Sequence, residues 1–189
     1  MSNKIYNLLV DKGAIMTGHF VLTSGLHSNK YIEKFRVLED PESLDIICKE
    51  MADKFKNIDI VVSAAVGGIL LSSGVARELG VKGIFAERVE GELIFKRGFK
   101  IPENSNVLIV EDVITTGKSA LECSNIVKKN KANLVGYACI IDRSKKNRLI
   151  KNKIVSQIEF DIETFSENNL PKELKRIKPT KPGSRNLSR

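Results

Sequence analysis

The chain reads as an α/β protein, a central, mostly parallel sheet flanked by helices. Three observations predict this. Short β-branched apolar runs, IDIVVSA, NVLIVED and ANLVGYACIID, recur between residues 58 and 142. Amphipathic segments of helical period stand between them. Strands buried on both faces are apolar throughout, and alternation with helices is how parallel strands are joined. Finally, 189 residues with 42% hydrophobic and 29% charged side chains suit one globular domain with a sizeable core.

Taken in order, residues 3–12 place Ile5, Leu8 and Leu9 at helical spacing before Gly13. HFVLTSG and KYIEKFRVL (19–25 and 30–38) read as short strands about a Ser-Gly turn. Pro41 opens a helix with Leu44, Ile47, Met51 and Phe55 on one face. The strand IDIVVSA leads into the helix GGILLSSGVARELG, closed by Gly80, and VKGIFAE is the next strand. The stretch 87–105 is polar, carries Gly91 and Gly98, and reads as an exposed loop between core strands. NVLIVED is the strongest strand, SALECSNIVKKN is a helix, and ANLVGYACIID is a strand again. Residues 163–189 read as irregular. The expected organisation is a single domain over 1–189, with a small hood of about 1–40 plus the C-terminal segment, and a core of about 41–143.

Composition removes several function classes. Cys48, Cys123 and Cys139 are odd in number, far apart and set in apolar runs; they read as buried free thiols of a reducing compartment. With no CxxC pair and only His19 and His27, a structural zinc site is not expected. No apolar run reaches membrane-spanning length and no export signal is seen, so a cytoplasmic protein without membrane contact is expected. The formal charge of +8 suits an anionic substrate or a nucleic acid. The basic stretches, 144–153 and 172–185, contain no aromatic residue for base stacking, so nucleic acid is not the expected partner.

In open α/β sheets, ligands bind beyond the carboxyl ends of the strands. After VLIV come Glu111 and Asp112, then Val113, Ile114, Thr115, Thr116, Gly117, Lys118 and Ser119, and then a helix. Two adjacent carboxylates at a strand end are costly without a partner. The residues after them can form a hydroxyl-rich turn at a helix N-terminus, which offers N–H groups and the positive dipole end to a phosphate. Acid pair and cradle together fit a phosphorylated sugar, the carboxylates taking its hydroxyls. A Walker A loop would need glycine where Asp112 stands.

The segment VLIVEDVITTGKS resembles the phosphoribosyl pyrophosphate (PRPP) signature of type I phosphoribosyltransferases, apart from Lys118 where a small residue is usual. That resemblance implies the type I phosphoribosyltransferase fold, with residues 63–69 as a pyrophosphate loop. GHFVLTSGLHSNKY is similar to the hood of orotate phosphoribosyltransferases, with Phe20, Leu22, Ser24, Gly25, Ser28 and Tyr31 in the pattern Phe-x-Leu-x-Ser-Gly-x-x-Ser-x-x-Tyr. Arg143 follows the last core strand, where that family places an arginine for the orotate carboxylate; the planar guanidinium suits a carboxylate. The terminal KPGSR (181–185) is similar to the tail of the short bacterial and archaeal members. The longer members carry Arg-Lys-Glu-x-Lys-x-His-Gly-Glu-Gly-Gly where residues 88–98 stand here; Arg88 matches, and Lys96 and Arg97 are further candidates for pyrophosphate. Thr23 replaces a lysine of the longer members.

The resemblance implies an orotate phosphoribosyltransferase of pyrimidine (UMP) biosynthesis. Glu111 and Asp112 would be the catalytic pair, residues 111–119 and Arg88 would bind PRPP, and Thr115 and Arg143 would bind orotate. Mg²⁺ would be held mainly by PRPP, with no direct protein ligand. The 87–105 loop would complete the neighbour's site in a homodimer. Two alternatives stand beside this: a purine-base phosphoribosyltransferase, and a PRPP-responsive nucleic-acid-binding regulator of the same fold.

Overall fold

Strand β3 (Ile60–Ala64) is buried at every residue, and the main sheet grows outward from it. The computed structural model describes residues 4–22, 24–144, 149–152 and 154–182. On one side β3 pairs in parallel with β4 (Lys82–Val89), on the other with β6 (Asn106–Ile114). Beyond β6 lie β7 (Asn133–Asp142) and β8 (Ile154–Glu159), both parallel, and beyond β4 lies the short antiparallel β5 (Glu92–Ile94). The order is β5-β4-β3-β6-β7-β8.

Two crossover helices set the site. From β3 the chain passes through α4 (Gly68–Leu79) to β4; from β6 it passes through α5 (Lys118–Lys129) to β7. These connections leave neighbouring strands in opposite directions. A crevice therefore opens between the carboxyl ends of β3 and β6. One face of the sheet packs Leu71 and Val75 of α4 against Ile47 and Met51 of α3 (Pro41–Ala52) and Ile5 and Leu9 of α1 (Lys4–Asp11). The other packs Ala120, Cys123 and Val127 of α5 with Leu93 and Ile101. Helix α3 starts where Asp40 accepts from the Ser43 N–H at 3.0 Å with Pro41 behind it.

The hood is a second sheet, β1 (Ile15–Val21), β2 (His27–Ile32) and β9 (Thr164–Phe165), antiparallel throughout. The C-terminal segment ties it down. The Val21 N–H donates to Thr180 O at 2.8 Å, and Ser28 Oγ donates to Glu163 O at 2.9 Å. His19 Nδ1 lies 2.8 Å from Ile177 O and His19 Nε2 lies 2.7 Å from His27 Nδ1, with both rings buried. A carbonyl only accepts, so His19 Nδ1 carries a proton, and its Nε2 accepts from His27 in the neutral pair.

The three cysteines are buried free thiols, as their apolar settings suggest; burial pushes the Cys48 thiol up to about 12. Elsewhere the structure departs from the sequence reading. Residues 30–38 are not one strand: β2 ends at Ile32, and α2 (Phe35–Leu38) turns Val37 and Leu38 into the main core. The stretch 87–105 is a loop only in its second half. Residues 87–94 form a β4–β5 hairpin around Glu90 and Gly91, both at positive φ, as a two-residue turn of matching twist requires, while 95–105 carry no strand or helix and are mostly exposed. Strand β8 extends the main sheet past residue 143, and residues 164–175 hold β9, a 3₁₀ turn and α6 (Lys172–Lys175). Thr23, 145–148, Lys153 and the last three residues of the KPGSR match lie outside the described residues.

Gly83 of β4 shows how tightly α4 is seated. A Cβ there would stand 2.4 Å from Ser72 O and 2.9 Å from Ser72 C, both backbone of α4. Gly83→Ala is therefore expected to cost roughly 1–3 kcal/mol. The urea midpoint should fall with an unchanged slope; an unaltered midpoint would show that α4 shifts without cost.

Candidate active site

The crevice at the sheet's divergence point is a pocket of about 490 Å³. It is lined by residues 64–67 after β3, residues 111–120 from β6 into α5, and Lys34. Every residue of the 111–119 segment singled out in the sequence is therefore brought to one cavity. Strand β6 runs two residues beyond the acid pair, so Val113 and Ile114 are strand and the turn proper is Thr115, Thr116 and Gly117.

The turn is built for close approach. Gly117 caps α5 at φ 77°, and a Cβ there would meet Ile150 Cδ1 at 2.9 Å. Lys118 N–H donates to Thr116 Oγ1 at 3.3 Å, and the Leu149 N–H donates to Thr116 O at 2.8 Å. Thr115 and Thr116 remain exposed at the mouth, and the first turn of α5 carries no acidic residue. An anionic group placed here meets hydroxyls, backbone N–H groups and the positive end of the helix dipole.

The acid pair is buried and unevenly satisfied. Asp112 Oδ1 accepts from the Val113 N–H at 2.6 Å. Its Oδ2 lies 2.5 Å from Lys34 Nζ, an ion pair without hydrogen-bond alignment. Glu111 Oε1 is buried with no hydrogen-bond partner. Burial, with the Asp112 charge beside it, pushes the Glu111 carboxyl up to about 8, against the pull of Lys34 and the Ala64 N–H. A ribose hydroxyl would satisfy the orphaned oxygen.

The predicted cations fall elsewhere. Arg88 Nη1 donates to Gly91 O at 2.6 Å and Nη2 to Glu122 at 2.5 Å, outside the pocket lining. Arg97 pairs with Glu87 at 3.0 Å, also away from the pocket. Arg143 stands at the end of β7, its N–H donating to Ile114 O at 2.8 Å; the side chain is half-buried, and desolvation lowers its pKa against the opposing charge of Asp161. It borders the cradle without lining the cavity. Lys34 was missed. A lone lysine inside a segment read as strand gives no signal; only the turn between β2 and α2 aims it at Asp112.

The metal question has a definite form. Among the described residues no cluster of three or more His, Cys, Asp or Glu could hold a metal. The hard carboxylate oxygens of Glu111 and Asp112 fit Mg²⁺ whose remaining oxygens come from substrate and water. Among the described residues no helix is long and apolar enough to cross a membrane.

Comparison with known proteins shows the family of the chain. Residues 36–169 match the family model of the phosphoribosyl transferase domain. An orotate phosphoribosyltransferase of Methylorubrum populi is 44% identical over 180 residues, 93% of this chain and 92% of that protein. One from a Thermoanaerobacter species is 43% identical over 175 residues, 92% of each. The crystal structure of Mycobacterium tuberculosis orotate phosphoribosyltransferase with Fe(III) dicitrate has a TM-score of 0.67 at 19% identity, over 84% of this chain and 95% of that one, a likeness of fold.

The Glu111 environment predicts a pH dependence. Unfolded, the carboxyl titrates near 4.5; folded, it keeps its proton to about 8. Between these values the folded state binds more protons, so its contribution is full below about 4.5 and is lost as pH rises through about 8. Urea midpoints measured from about pH 5 to about pH 9 should fall for the native chain and flatten for Glu111→Gln. Parallel curves would mean that Glu111 ionises freely.

Proposed function

The chain belongs to the phosphoribosyl transferase domain family, in its orotate phosphoribosyltransferase branch, and we propose that the crevice between β3 and β6 is its active site. The reaction is orotate + PRPP ⇌ orotidine 5′-monophosphate + pyrophosphate, a step of pyrimidine biosynthesis. The observation that carries the site assignment is the buried Glu111–Asp112 pair facing a hydroxyl-lined helix N-terminus across one cavity.

Residues 115–119 hold the 5′-phosphate and so fix the ribose. Asp112 accepts from one ribose hydroxyl, and the protonated Glu111 bonds the other. The backbone over residues 64–67 faces the pyrophosphate. As pyrophosphate leaves C1 the ring becomes oxocarbenium-like, and an orotate nitrogen attacks the opposite face. No protein nucleophile is required; positioning and the negative charge of Asp112 favour the developing cation. Mg²⁺ would be held mainly by PRPP oxygens, with Glu111 and Asp112 the nearest protein oxygens, and would supply charge neutralisation to the leaving group. Arg143, with Thr115 nearby, takes the orotate carboxylate.

The active unit is a homodimer in which the 87–105 segment acts on the neighbouring site. Arg88 stands outside the lining of its own pocket, which supports a role in trans. Heterodimers of Arg88→Ala and Asp112→Asn, each inactive alone, should then regain part of the activity; verified heterodimers without activity would place Arg88 in cis.

Formation of orotidine 5′-monophosphate from orotate and PRPP, followed chromatographically, tests the whole assignment. Asp112→Asn should still bind orotate and lose most turnover. Arg143→Lys should weaken orotate by about tenfold while leaving PRPP nearly unchanged, because a forked contact becomes a point charge. Uracil, which lacks the carboxylate, should be affected far less; equal losses for both bases would make Arg143 structural.

A further inference from the structure

Lys34 is the contribution of the hood connection to the pocket. Its ammonium lies 2.5 Å from Asp112 Oδ2 and 5.4 Å from the centre of the Phe35 ring, with the side chain one-third exposed. It also stands beside the loop after β3. A Cβ built on Gly67 would fall 3.1 Å from Lys34 Nζ and 1.7 Å from Asp112 Oδ2. Only a residue without a side chain at position 67 lets the three groups meet. Lys118 also lines the pocket, but its ammonium is largely exposed and 3.8 Å from Glu122.

We propose that Lys34 binds the pyrophosphate group of PRPP, and that it rests on Asp112 until the ribose hydroxyls displace it. The proposal deepens the phosphoribosyl-transfer reading and rests on it. In the free protein Lys34 compensates the buried carboxylate, which would otherwise be isolated at low dielectric. When hydroxyls take over Asp112, the ammonium is released beside the Gly67 backbone, where the leaving group lies. A short rotation of its flexible stem exchanges one anionic partner for another. The anionic substrate thus meets a neutralised acid site, and the same cation then holds the departing diphosphate.

Titration calorimetry with inorganic pyrophosphate plus Mg²⁺, and separately with ribose 5-phosphate, tests this on the native chain, Lys34→Gln and Lys34→Arg. Lys34→Gln should weaken pyrophosphate about tenfold to a hundredfold. Ribose 5-phosphate should bind unchanged or more tightly, since nothing competes for Asp112. Lys34→Arg keeps the charge and should retain most pyrophosphate affinity. It also carries the test if Lys34→Gln fails to fold, because its pyrophosphate affinity falling as far as its ribose 5-phosphate affinity would overturn the proposal. Pyrophosphate binding by folded Lys34→Gln within about twofold of native would overturn it too. So would equal weakening of both ligands, which would reduce Lys34 to a structural counter-ion. A native chain that binds pyrophosphate through Lys34 yet converts no orotate would overturn the function reading alone; one that binds no pyrophosphate overturns both.

Discussion

Two carboxylates side by side at a buried strand end are the constraint around which this molecule is arranged. Glu111 and Asp112 are both almost fully buried. Taking two charges out of water in contact is prohibitive unless one is neutralised and the other paired. The structure does both. Glu111 holds its proton to about 8, and Asp112 leans on Lys34. That pairing in turn demands glycine at position 67, on a loop that lies against β6 because β3 and β6 are neighbours at the point where the crossovers diverge. One electrostatic problem thereby links strand order, loop composition and the position of the hood connection.

The hood motif has a different character from the signature at residues 107–119. Phe20 is buried with its ring 5.6 Å from that of Tyr31, Ser28 bonds Glu163 O, and Leu22 and Gly25 close the hairpin turn. None of these side chains lines the pocket. They lock a small sheet to the C-terminal segment, and the locked sheet delivers the chain through Lys34 into α2. The site therefore depends on residues remote from it, through backbone placement rather than contact with a ligand.

What was legible in the sequence was local. The signature needs only a strand, a turn and a helix in succession, each with its own residue preferences, and so it could be read in one pass. The parallel core followed from β-branched runs. The hairpin after β4 was hidden because Glu90–Gly91 lacks the Asn-Gly turn signal, and polar residues around Leu93 and Ile101 masked two core positions. One turn of helix at α2 is too short to show a period, so it passed for strand. Strand β8 follows a basic stretch and mixes Ser156 and Gln157 with its apolar residues, weakening the run expected of a buried strand. Lys34 depended on three elements meeting in space, which no spacing along the chain encodes.

The short β5 has a bearing on how this protein behaves in a crowded solution. Strand β4 pairs with β3 only over residues 82–86, so its last three residues would otherwise run on unpaired and open to any passing chain. Instead the chain folds back on its own edge, for three residues, through a tightly twisted turn. Glu92 is exposed at the start of that strand, and Lys96 and Arg97 are exposed just after it. The border is brief, charged and twisted, a poor template for intermolecular β-pairing. The segment expected to serve a neighbouring site thus also closes off the far end of the sheet's edge strand.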